Sequence, residues 1–163
     1  MKRYIPTLFF VLLFGAVCFQ TAFGQEADHQ KLIKASRFLE QDPLGKDAKA
    51  IRSWAFVWAA DTKDVTVIIC GLAGPFLDKK VKFGNELMSQ YTIAMTAYKL
   101  EHPDKLTDEN AAQLAGVESA LTVYEFLLNN NPKGKTPAID DLLSKRDKGD
   151  LAAFVAAADC GKK

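Results

Sequence analysis

The chain is poor in the side chains that carry most metal and nucleophile chemistry, with two histidines and three cysteines among its 163 residues. A zinc centre needs several Cys, His or carboxylate ligands to converge on one ion, and His29 and His102 with a cysteine pair make a thin donor set. No metal site is expected. Hard cations can be held by carboxylates alone, but no Asp-x-Asp-x-Asp-Gly loop occurs, and Asp140-Asp141 fits the first turn of a helix. No Gly-x-Ser-x-Gly turn exposes a serine, and Gly71-Leu72-Ala73-Gly74 lacks the lysine and hydroxyl of a phosphate loop, reading instead as a helix end. These motifs point to no catalytic residue and no cofactor.

An excess of charge is also missing. Lys and Arg number 21 against 20 Asp and Glu, a formal charge of +1, which gives no overall electrostatic footprint for nucleic acid. Lys133, Lys135, Lys145, Arg146 and Lys148 cluster late in the chain, but Asp140, Asp141, Asp147 and Asp150 interrupt them, so this stretch reads as solvated surface. With 48% hydrophobic and 25% charged residues the composition is that of a globular domain, and charges scattered along the chain argue against a multi-span membrane protein.

The one long apolar run stands at the front. Residues 1–4 carry Lys2 and Arg3, residues 5–19 are uncharged and apolar, and Ala22-Phe23-Gly24 places small residues at a break before Gln25. This is the layout of a secretory signal peptide over residues 1–24, leaving a single domain over residues 25–163. An apolar run of roughly 15 residues is short of the ~20 that a bilayer core requires, which favours a removed leader over an uncleaved membrane anchor; no membrane span is expected after its removal. Val17, ahead of Cys18, is a poor match to a lipid-attachment signal. The expected destination is outside the cytoplasm, periplasmic or secreted.

Loss of the leader takes Cys18 with it and leaves an even pair, Cys70 and Cys160, which in an exported chain suggests a disulfide. The bond would close a loop of about 90 residues and restrict the unfolded chain by roughly 4 kcal/mol.

Hydrophobic spacing then gives seven helices, joined by short turns. Leu32, Ala35 and Leu39 recur at three and four until Asp42-Pro43, and Ile51, Trp54, Ala55 and Trp58 share one face over residues 46–60. Residues 64–74 fit both alternation and helical spacing, and helix is favoured because no second strand exists to pair with a lone one. Gly74-Pro75 reads as a break. Phe83, Leu87, Tyr91, Ala94, Met95 and Tyr98, flanked by Ile93, Ala97 and Leu100, make the helix over 82–100 apolar on a wide arc, which suits a central position. Thr107 reads as the cap of a helix to about Leu128, with Leu114, Val117, Leu121 and Tyr124 on its seam. Thr136-Pro137 opens another helix that Gly149 ends. Asp150 caps a last one that buries Leu151, Phe154, Val155 and Ala158. The expected fold is all-α, a bundle of about seven helices arranged as helical hairpins in a loosely solenoid manner. Spacings of 60 and 29 residues between Pro43, Pro103 and Pro132 do not fit a tetratricopeptide period.

Three functional readings survive. The first is an exported, non-catalytic module that binds another protein or a peptide, or serves structurally. The second is a carrier of a small hydrophobic ligand in a pocket lined by aromatic rings: Trp54 and Trp58 lie one turn apart, and Tyr91, Tyr98 and Tyr124 ride on the apolar stripes of two long helices. Lys82, Glu86 and Gln90, four apart beside that stripe, would form a polar rim for either surface. The third is an enzyme using Glu101 and His102 as acid and base, or a glycosidase drawing on the helix carboxylates Glu86, Glu118 and Glu125, of which Glu118 and Glu125, seven apart on one face, would be the pair. A solvated helix end explains Glu101 and His102 without any catalysis.

Overall fold

The computed structural model describes residues 26–161; the expected leader at residues 1–24 lies outside them. Helix α1 runs over residues 26–41, and in its opening turns Gln30 donates to Glu26, four residues earlier. The others are α2 (Ala48–Asp61), α3 (Gly74–Leu77), α4 (Gly84–Glu101), α5 (Glu109–Asn130), α6 (Pro137–Lys148) and α7 (Leu151–Ala157). Among the described residues these are the seven α-helices, and there is no strand. The fold is all-α, as the periodicities require.

The framework is the hairpin of α4 and α5, the most extensive contact among helices α2 to α7. Later residues of α4 meet earlier ones of α5, Gln90 with Ser119, Tyr91 with Gln113 and Lys99 with Glu109, so the two run antiparallel. Gly116 lets them close. A Cβ at this position would lie 2.7 Å from Met95 Cγ and 2.9 Å from the Tyr91 carbonyl oxygen, inside van der Waals contact with a backbone that cannot yield.

Two apolar clusters form on opposite sides of α4. Leu87, Tyr91 and Met95 join Phe76, residues of α5, and Ile139, Leu142, Leu151 and Val155 from α6 and α7. Ile93 joins Leu32, Ala35 and Leu39 of α1 with Ala48 and Ala55 of α2, against which Trp54 and Trp58 pack. Every residue from 91 to 97 is buried, so the wide apolar arc of α4 corresponds to burial from both sides.

Four local expectations are corrected. Residues 65–70 form neither helix nor strand; they make a strap without regular structure, followed by a 3-10 turn at Gly71–Ala73. Gly74-Pro75 opens α3 instead of breaking the chain, because proline in the first turn gives up an amide that has no intrahelical partner there. Asp108, not Thr107, caps α5, its carboxylate accepting from the Ala111 amide at 3.0 Å. Phe154 is 38% exposed and lies beneath the Lys145 ammonium, 5.1 Å from the ring centroid. Ala158, also expected inside, is exposed at the helix end, because the one narrow buried stripe of a seven-residue helix is occupied by Leu151 and Val155.

Cys70 and Cys160 meet as a disulfide pair, with Cα atoms 5.8 Å apart, and so join the strap to the chain's end. Gly149 ends α6 in the left-handed region at φ 80°.

Candidate functional site

The aromatic and polar residues singled out by spacing divide among separate environments. Tyr91 and Tyr124 have no exposed surface and belong to the first cluster, whereas Trp54 and Trp58 pack on the second. Tyr98 is half-buried and its ring sits 4.5 Å from that of His102. The rings therefore do not line one common wall. Lys82 is exposed ahead of α4, Glu86 is half-buried on it, and Gln90 is inside the protein, so the three do not form a rim.

Gln90 instead ties three helices together. Its side-chain amide donates to the Ser36 carbonyl (3.1 Å) and to Ser119 Oγ (2.7 Å), and Ser119 in turn donates to Glu40. A second network holds the strap. Lys99, 2% exposed, donates to the Thr66 carbonyl at 2.7 Å and pairs with Glu109. Gln113 donates to the Ile68 carbonyl at 2.6 Å and accepts from the Tyr91 hydroxyl. Burial of that phenol raises its pKa well above the usual tyrosine range. Tyr124 fixes the α5–α6 connection, donating to Asp140 and accepting from the Thr136 amide, each at 2.8 Å. Burial and the Asp140 carboxylate push its pKa up to about 12.

Glu101 is paired with Arg37 at the end of α4 and lines a cleft of about 140 Å³ with Tyr98 and Ser119, a cleft that His102 does not line. Glu118 is exposed, and Glu125 is bound by Arg146 at 2.8 Å. Among the described residues no three His, Cys, Asp or Glu side chains come close enough to hold a metal ion, and no helix is long and apolar enough to cross a membrane.

The open surface with most chemical character lies on the outer side of α2. Leu44, Phe56 and Val57 are 55%, 37% and 55% exposed and line a hollow of about 470 Å³ between α2, the 43–45 turn and the start of α4. Phe56 also lines a second hollow of about 330 Å³, walled by the strap residues Val65, Val67 and Ile69 and by Met88 of α4. Phe56 is common to both hollows, so Leu44, Val57, Phe56 and Ile69 form an exposed apolar strip along them. Lys49 and Arg52 of α2 face Glu86 of α4 across the first hollow, and no charged side chain lines the second. Trp54, Val57 and Trp58 border a further shallow hollow of about 660 Å³ along the same helix.

Leu44, Arg52, Phe56 and Val57 carry no motif, but one sign of this strip was in the sequence. The buried stripe of α2 is complete with Ile51, Trp54, Ala55 and Trp58, which leaves Phe56 and Val57 as apolar residues on a side that burial does not require.

No family model, no curated protein and no solved structure matches this chain.

Proposed function

We propose that the protein is a non-catalytic binding module acting outside the cytoplasm, which takes a protein or peptide segment along the α2 strip. The observation that carries this reading is the continuity of exposed Leu44, Val57, Phe56 and Ile69 through two adjoining hollows. Contiguous apolar surface of this kind is costly to leave in water and marks contact sites more often than isolated exposed residues do. An elongated strip of two joined hollows suits an extended or helical segment better than a compact ligand. Localisation rests on the leader pattern of residues 1–24 and on the paired cysteines.

The carrier reading keeps one observation in its favour, the hollow bordered by Trp54 and Trp58. Titration with dodecanoate and with indole tests it through tryptophan emission, and an unchanged spectrum removes it. The binding reading is tested by substituting Val57→Asp in protein with the disulfide intact. Because Val57 is 55% exposed, the expected change in stability is within about 0.5 kcal/mol. Peptides selected from a displayed random library on the unaltered protein should lose binding to the variant; equal binding to both proteins refutes the assignment of the strip.

A further inference from the structure

Charge is distributed unevenly along the strip. Lys49 and Arg52, three residues apart on α2, both line the first hollow, and among the described residues neither has a carboxylate within ion-pair distance. Arg52 is held in place: one terminal nitrogen donates to the Pro43 carbonyl at 2.7 Å, while its Nε is buried without a hydrogen-bond partner. Fixing a guanidinium in a half-buried wall removes much of its hydration, and Glu86 offsets this only from a distance. A cation so held gains more from an arriving carboxylate than a mobile surface lysine does, since little side-chain freedom is left to lose. The far hollow offers only apolar and hydroxyl groups.

We infer that the occupant of the strip is a peptide segment with an acidic end and an apolar end. Its carboxylate pairs with Arg52, assisted by Lys49, and its apolar side chains run over Val57 and Phe56 toward Ile69. This inference rests on the strip being the binding surface. It adds a direction, because only one end of the strip carries fixed positive charge. It also adds a dependence on salt, because Lys49 is exposed and its contribution is screened within a Debye length of about 8 Å at physiological ionic strength.

The test uses peptides enriched from a displayed random library on disulfide-intact protein, resynthesised and titrated against the unaltered protein and the variants V57D, R52Q and K49Q. Enriched peptides should carry Asp or Glu beside apolar residues. R52Q should weaken them about tenfold, and replacing the peptide's Asp by Asn should cost about as much on the unaltered protein but little on R52Q. Circular dichroism establishes that R52Q is folded. If it is not, K49Q at an exposed position and the Asp-to-Asn peptide supply the same comparison, with a several-fold loss expected for each. Peptides that are sensitive to V57D but indifferent to R52Q, K49Q and their own carboxylate overturn the acidic-end inference and leave the strip standing. Indifference to V57D, or no enrichment at all, overturns both.

Discussion

At the scale of single residues, several polar side chains that could suggest chemistry are occupied in satisfying backbone, among them Gln90, Lys99, Gln113 and Tyr124. Lys99 is the clearest case, a buried ammonium shared between the Thr66 carbonyl and Glu109. Replacing it by methionine keeps the volume but leaves a carboxylate and a carbonyl without their donor. For a fully buried pair such a loss costs about 3–5 kcal/mol, and because Glu109 keeps some contact with water we expect about 2–3 kcal/mol, read from urea unfolding. Tyr124 gives a prediction in pH. Its pKa rises from 10 in the unfolded chain to about 12 in the fold, so the folded state favours the protonated phenol. That contribution is fully present below pH 10 and is lost as pH rises through the window from 10 to 12. Tyr124→Phe should cost about 1–2 kcal/mol at pH 8, where the Thr136 amide and Asp140 lose their partner. It should also flatten the fall in stability between pH 10 and 11. A variant whose alkaline slope equals that of the unaltered protein would show that the phenol does not titrate with unfolding.

At the scale of elements, the strap shows where sequence reasoning stops. The long helices were legible because their burial repeats every three or four residues, as with Leu87, Tyr91 and Met95 on α4 or Val117, Leu121 and Tyr124 on α5. Residues 65–70 were not, because a segment that is not helical ordinarily needs a neighbouring strand to satisfy its carbonyls. Here Lys99 and Gln113, which lie 33 and 45 residues away from their acceptors, do so. No local pattern records a donor that distant. The cysteine pairing was legible for the opposite reason, since residues 25–163 hold only two cysteines, Cys70 and Cys160. The strap therefore has three attachments, two of them hydrogen-bonded and one covalent. Changing Cys70 and Cys160 together to serine should lower stability by about 4.6 kcal/mol at most, the loop-closure limit for a separation of 90 residues. It should also open residues 62–70 to limited proteolysis before any helix is cut. Cleavage first within α6 or α7 would mean that the strap is held by its hydrogen bonds alone.

At the scale of the whole molecule, the placement of α4 between two apolar clusters has a cooperative consequence for residues 32–161. Ile93 is the buried α4 residue of the cluster with α1 and α2, against which Leu100 also packs, whereas Leu87, Tyr91 and Met95 belong to the cluster with α5, α6 and α7. One helix cannot leave one cluster without disturbing the other, so the two should melt together. Both tryptophans, Trp54 and Trp58, lie beside the Ile93 cluster, which makes their fluorescence a local probe, while far-ultraviolet circular dichroism reports on all the helices. Ile93→Ala leaves a cavity at a position with no exposed surface and should cost about 2–5 kcal/mol. If α4 couples the clusters, the fluorescence and dichroism midpoints in urea fall by the same amount and remain superimposed. If instead the tryptophan signal is lost at lower urea while most helical signal persists, the α1–α2 layer unfolds on its own. The α2 strip would then lie on the less stable part of the fold, and partner binding would raise the fluorescence midpoint without moving the other.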